Sequence, residues 1–238
     1  MVEFDGIEHA LDRLEKDRSF RRLVAALSEG TIPQDEADPA FREYQRYVHE
    51  LEAFTEAPEV MREVLAEPLL KIWFFRVFGY VGELRFSVMP SVWLRDLPLL
   101  DIGRDAHLGY GMMLGTSQID PAAGTIELRQ IAIGARTFFN QHSIVEGGTR
   151  IGDDCCVGIR AMIGGRCRID PGCEIGDFVR IGADAMVGGG ARIGHGALIG
   201  RAAIVDPGLV VEEGGEVPAH HRLTAGGLFP RPHRRLAA

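Results

Sequence analysis

The sequence predicts a mainly β protein: short strands wound into a stacked coil, preceded by a helical region. Two observations predict the coil and a third predicts the helices. A large apolar residue recurs every six positions without a miss, from Ile133, Phe139, Val145 and Ile151 to Val205, Val211 and Val217. Four places after each of these lies a slot for small residues, among them Thr137, Ser143, Cys155, Ala161 and Ala185. Residues 7–81 instead show apolar residues at helical spacing.

A period of six matches neither the two of a strand nor the 3.6 of a helix. It fits a short extended segment followed by a corner. β-branched residues favour the extended part, and Gly134, Gly152, Gly158, Gly164 and Gly176, each directly after the apolar residue, supply the turn. One such unit cannot bury its apolar side chain alone, so the chain must wind into a stack in which each turn covers the last.

Taken in order, residues 7–29 read as one amphipathic helix carrying Ile7, Leu11, Leu14, Phe20, Leu23, Val24 and Leu27. Residues 31–39 read as a loop. Asp38 then offers an N-cap ahead of Pro39 for a second helix with Phe41, Tyr44, Tyr47, Val48 and Leu51. A third helical stretch follows Ala57-Pro58. Residues 69–81 are the most apolar in the chain, but so short a run with Lys71 and Arg76 inside it is too short to span a bilayer. They are expected to cap the open apolar end of the coil, and no membrane contact is expected of them.

From Gly82 the pattern is extended, and Ile102, Leu108 and Leu114 already keep the six-residue step. The step fails at Asp120, reappears at Ile126 and resumes one residue late at Ile133. The intervening TSQIDPAAGT carries turn residues and is expected to be a loop displaced from the coil. It is the clearest phase break and the first place to look for function. The implied organisation is a helical region over 1–82, the coil over 83–222 and a tail over 223–238, with the basic tail from Arg231 expected to be mobile.

A formal charge of −8 and a pI near 5.5 argue against a broad nucleic-acid footprint. The N-terminus lacks a basic start and an apolar run, so a cytoplasmic protein is expected. Cys155, Cys156, Cys167 and Cys173 have no C-x-x-C spacing, which disfavours a metal or redox motif. Three of them occupy the small slot and are expected to be buried thiols. There is no Ser nucleophile elbow, no G-x-x-x-x-G-K loop and no H-E-x-x-H motif.

Residues 98–227 resemble the hexapeptide repeats of the left-handed parallel β-helix acyltransferases. The resemblance implies left-handed triangular coils of three hexapeptides each, and three chains packed side by side as a homotrimer. It also implies transfer of an acyl group, acetyl in the first instance, from acyl-CoA to a hydroxyl or amine of a small-molecule acceptor. Such transfer needs a base, donors for the developing oxyanion and a groove for the thioester, and no metal is expected. Histidine suits the base role near neutral pH. His9 and His49 lie in helices, His107 on an early coil, His195 on an outward turn, and His220, His221 and His233 past the repeat. His142 is the candidate base, because Asn140, Gln141 and His142 set polar residues on an otherwise ordinary coil directly after the phase break.

The run Ile133-Gly134, Phe139-Asn140, Ile144-Val145, Ile151-Gly152-Asp153-Asp154 is similar to the sugar O-acetyltransferase subgroup, which has I-G-x-N-x-x-x-N-x-N before I-G-D-N. That match puts His142 at an acceptor-orienting Asn and Glu146 near an acidic family residue. His142 and Glu146 are therefore the expected catalytic residues, with Asn140 and Gln141 as acceptor ligands. The subgroup carries its own catalytic His in a later loop; here that region reads Gly164-Gly165-Arg166-Cys167-Arg168, without loop or His. The run is also similar to hexapeptide modules attached to some peptide synthetases. Thr224-Ala225-Gly226-Gly227 resembles the start of a closing V-A-G-x-P-A segment that lies near the acyl-CoA, so Ala225, Gly226 and Gly227 are the expected cofactor-binding residues. Two rival readings use the same coil. One is a catalytically silent trimeric scaffold. The other is a γ-class carbonic anhydrase, whose His pair five residues apart this chain does not supply.

Overall fold

A computed structural model of the chain describes residues 4–231. From Ser87 to Thr224 the backbone winds as a left-handed parallel β-helix with three flat faces. Ser87–Val88, His107–Leu108, Phe138–Phe139, Cys156–Val157, Glu174–Ile175, Arg192–Ile193 and Val210–Val211 stack as the first face. The second face runs from Met113–Gly115 through Ile144–Glu146, Met162–Ile163, Arg180–Ile181 and Leu198–Ile199 to Glu216–Val217. Leu100–Ile102, Ile131–Ile133, Arg150–Ile151, Arg168–Ile169, Met186–Val187, Ile204–Val205 and His221–Thr224 make the third, closed by antiparallel Gly227–Pro230.

In a typical strand one residue points out and the next points in. Ile163, Ile181 and Ile199 share one face in register, all buried, as the six-residue step predicts. Two-residue strands cannot satisfy their own backbones, so each coil bonds the next: Cys156 N donates to Cys173 O and Met162 N to Val179 O, at 2.9 and 2.8 Å. The glycine after the inward residue has a steric cause. A Cβ at Gly158 would stand 2.5 Å from the backbone N of Asp177 in the next coil.

The small slot is buried, and most of its polar members share one role. Thr137 and Thr149 donate through Oγ1 to the carbonyls of Gly152 and Gly164. The Cys155, Cys167 and Cys173 thiols make the equivalent contacts to Asp170, Gly182 and Gly188. These three cysteines are buried, as expected, and all four are free thiols.

The phase break is more than a loop. Ser117–Asp120 and Thr125–Leu128 form an antiparallel hairpin, and its second strand pairs with Gly30–Pro33 from the N-terminal region. The start of the expected 31–39 loop is therefore a strand. The insertion lengthens one coil: Asp101 pairs with Ala132, whereas Arg150 pairs with Arg168 eighteen residues on. Ile126, which keeps the six-residue phase, is not in the coil. It is buried with Phe41, Tyr44, Leu99 and Leu128 between the hairpin and the helices.

Among the described residues five helices precede the coil: α1 (Phe4–Lys16), α2 (Arg18–Ala26), α3 (Pro39–Thr55), α4 (Pro58–Ala66) and α5 (Pro68–Val77). The single helix expected over 7–29 is two. Asp17 leaves helical geometry and caps α2, its Oδ1 accepting from Ser19 N and Phe20 N, while the apolar spacing continues across the break. Asp38 caps α3 as expected, and α4 begins at Pro58. The inner side of α5 closes the end of the coil. Phe75 packs edge-on against Tyr80 and Phe86, while Phe74 and Phe78 meet Phe54 of α3. Each such ring is worth about 1.5–3 kcal/mol of burial. Tyr47 ties helices to coil, donating to Phe78 O and accepting from Leu97 N. Beside it Asp96 is buried, its Oδ2 accepting from Thr116 Oγ1 at 2.7 Å and Tyr44 OH at 3.4 Å, its Oδ1 unpartnered. Burial pushes the Asp96 carboxyl up. No described helix is long and apolar enough to cross a membrane.

Candidate functional site

Asn140, Gln141 and His142 form one corner, between the first and second faces. The His142 backbone is left-handed at φ 57°, a conformation histidine tolerates better than most residues. Its N–H donates to Tyr110 O at 2.8 Å, and its exposed ring meets the exposed Tyr110 ring edge-on at 5.7 Å. The ring lies over Gly111, where a Cβ would stand 2.3 Å from Nδ1. Asn140 is half-buried; its N–H donates to Val157 O and its carbonyl accepts from Ser143 Oγ. Gln141 is exposed, with its carbonyl accepting from Arg160 N.

Glu146 lies at the far end of the strand Ile144–Glu146, where Oε2 accepts from Gly165 N at 2.8 Å. It is four residues on from His142, at most roughly 13 Å of chain. The fold thus joins Asn140, Gln141 and His142 to Tyr110, and sets Glu146 at the next corner, beside the foot of the hairpin, where Gly147 packs on Arg129. Ala225, Gly226 and Gly227 form the turn of the closing hairpin, with Gly226 N donating to Thr224 Oγ1. Within one chain they lie between four and five coils from His142, roughly 20 Å at strand spacing. His195 stands at the same kind of corner as His142, three coils on, its Nδ1 accepting from Asp177 N at 2.9 Å. His233 lies outside the described residues.

A second histidine emerges only in three dimensions. His107 stands on the first face between Ser87 and Phe138. Its Nδ1 is 2.8 Å from Ser87 Oγ, and its ring lies flat on Phe138 at 4.5 Å, 10° from parallel. Partial burial disfavours the charged ring and pushes its pKa below the ordinary imidazole value. With Ser87 accepting from Nδ1–H, Nε2 keeps a lone pair for a proton. No sequence signal marks this trio. The rungs are 20 and 31 residues apart, off the regular eighteen.

The outer side of the second face is largely apolar, interrupted by Arg180 and Glu216. Met113, Met162 and Leu198 are each about two-fifths exposed. Met162 and Leu198, with Ile144, Arg180 and Arg201, line a shallow trough of about 470 Å³ that Glu146 borders. Among the described residues no group of three or more His, Cys, Asp or Glu side chains is placed to hold a metal ion.

Comparison with known proteins bears on the coil. The bacterial transferase hexapeptide family, described as six repeats, matches residues 148–183 and 160–195. No curated protein sequence matches the chain. Similar solved structures include UDP-N-acetylglucosamine acyltransferase from Campylobacter jejuni, 15% identical over 60% of this chain and 67% of that one, with a TM-score of 0.33. The acetyltransferase domain of PglB from Neisseria gonorrhoeae, solved with acetyl coenzyme A, is 15% identical over 68% of this chain and 63% of its own, with a TM-score of 0.24. PerB from Caulobacter crescentus, solved with CoA and GDP-perosamine, is 23% identical over 65% and 58%, with a TM-score of 0.22. At these scores the likenesses decide nothing about acceptor or activity. The matched repeat and the stacked eighteen-residue coils agree over residues 148–195, where the chain matches the bacterial transferase hexapeptide repeat.

Proposed function

We propose that the protein transfers an acyl group from acyl-CoA to a hydroxyl or amine of a small acceptor. The observation that carries this reading is an exposed imidazole, that of His142, set beside an aromatic ring on a coil of the transferase hexapeptide type. His142 takes the acceptor's proton as the thioester carbonyl is attacked, and Asn140 and Gln141 hold the acceptor. The acting form is a homotrimer. A single prism offers no deep groove, whereas two prisms side by side enclose one, and the apolar second face supplies a surface to bury between them. In that assembly Glu146 and the turn Ala225–Gly227 border the same long groove, the turn lying roughly 20 Å along it from His142. The Ser87–His107 contact favours a second reading, in which His107 Nε2 is the base.

The experiment is release of CoA thiol from acetyl-CoA across an acceptor panel, for wild type, His142→Ala, His142→Asn and His107→Ala. Loss of a general base lowers turnover by about 10²–10⁴-fold. A drop in both His142 variants supports the first reading, and a drop confined to His107→Ala supports the second. Undiminished turnover in all three removes both, and a monomer in solution removes the shared groove.

A further inference from the structure

The helical region carries a surface unlike the rest of this acidic chain. Arg18, Arg21 and Arg22 stand on one face of α2, all exposed, and among the described residues no hydrogen bond or ion pair engages their side chains. Many arginines elsewhere are paired: Arg13 with Glu50, Arg46 with Asp17, Arg104 with Glu83, Arg136 with Asp154, Arg166 with Asp184. Three like charges at spacings of three and four repel each other and weaken the helix. That arrangement is stabilised by an anionic partner.

Arg21 also lines a hollow with Arg76, Val77 and Val81, so the arginine face adjoins the end of α5. Glu15, the acidic group in that hollow, is held by Trp73 Nε1 at 3.0 Å. The outer side of α5 is apolar and uncovered: Leu69 is 75% exposed, Ile72 45% and, just past the helix, Val81 83%. Leu69, Ile72 and Arg76 fall on one helical stripe. The sequence-based expectation against membrane contact supposes that the cap consumes the apolar surface of 69–81. The cap consumes one side, through Leu70, Phe74 and Phe75.

We propose that the arginine face of α2 and the outer stripe of α5 together bind the surface of an anionic phospholipid bilayer. The arginines meet lipid phosphates, and Leu69, Ile72 and Val81 enter the headgroup boundary. An open face with exposed aliphatic side chains beside arginines suits a bilayer better than it suits a small anion, which needs an enclosing cavity. The binding is peripheral, and it does not depend on the acyltransferase reading.

The test is cosedimentation of the full chain with vesicles of phosphatidylcholine alone or mixed with phosphatidylglycerol. Binding is expected only to the mixed vesicles and is expected to weaken with added salt. Each arginine near the surface is worth roughly five-fold in affinity, so Arg18→Ser, Arg21→Ser and Arg22→Ser combined should lose on the order of a hundred-fold. Leu69→Ser with Val81→Ser should also weaken binding while circular dichroism stays unchanged. No binding to mixed vesicles, or equal binding by the arginine variant, overturns the proposal. So does binding to heparin as tight as to vesicles and indifferent to the Leu69 and Val81 changes, which would mark a site for soluble polyanions.

Discussion

The imidazole of His107 lies flat on the ring of Phe138, 4.5 Å between centroids. The stack covers one side of the imidazole, and burial disfavours its charged form, which lowers the His107 pKa from its ordinary value. Phe138→Ala uncovers the ring and should move its titration up toward 6.5, read by NMR of the His107 ring proton. An unmoved midpoint would mean that Phe138 does not control the protonation of this histidine.

Gly111 and His142 make a second test. An Ala side chain at 111 would collide with the His142 ring, and the glycine backbone there is left-handed at φ 65°. Gly111→Ala should cost about 1–2 kcal/mol from backbone strain alone and displace the imidazole. Turnover should fall as it does in His142→Ala. A variant that melts lower but keeps full turnover would separate His142 from the chemistry.

The inward column is tested by Ile181→Asp, which puts a carboxylate between Ile163 and Ile199. It should prevent soluble expression or cost several kcal/mol. Cys167→Ala should cost about 1 kcal/mol or less, because Ala185 and Ala203 fill the equivalent slots in the next two coils. Collapse of the Cys167 variant would show that its thiol does more than fill space.

Much of this architecture is legible in the residues because the coil repeats. Ile163 and Ile181 are eighteen apart and stack directly, so one local rule, applied in turn, places every inward side chain. Features that join distant segments leave no such trace. The pairing of Gly30 with Leu128 depends on backbone bonds that any sequence can make. The break at Asp17 hides inside an uninterrupted apolar pattern. Ile126 keeps the phase yet serves another core, because its hairpin leaves the coil. Within the candidate site, Asn140, Gln141 and His142 are visible as polar residues in a regular repeat. Ser87 and His107 are not, since they meet across a coil of irregular length.

Asp96 gives a prediction in pH. Its folded-state pKa is raised by burial, so the folded protein holds this proton more tightly than the unfolded chain does. The stability it contributes is complete below the unfolded value and is lost as pH rises through the raised one. Asp96→Asn should remove that fall, leaving the variant more stable than wild type at neutral pH and closer to it in acid. Parallel curves of unfolding free energy against pH for the two proteins would refute the assignment.

The central claim is that this coil binds acyl-CoA. Its most direct test is a thermal-shift titration of the full chain with acetyl-CoA, longer acyl-CoAs and free CoA. A ligand that binds only the native state stabilises it by about 2.7 kcal/mol at a hundred times its Kd. The account predicts a concentration-dependent rise in Tm with at least one acyl-CoA, larger than with CoA alone. A flat response to every thioester, at concentrations that saturate known acyltransferases, would contradict it and leave the silent scaffold as the reading of this fold.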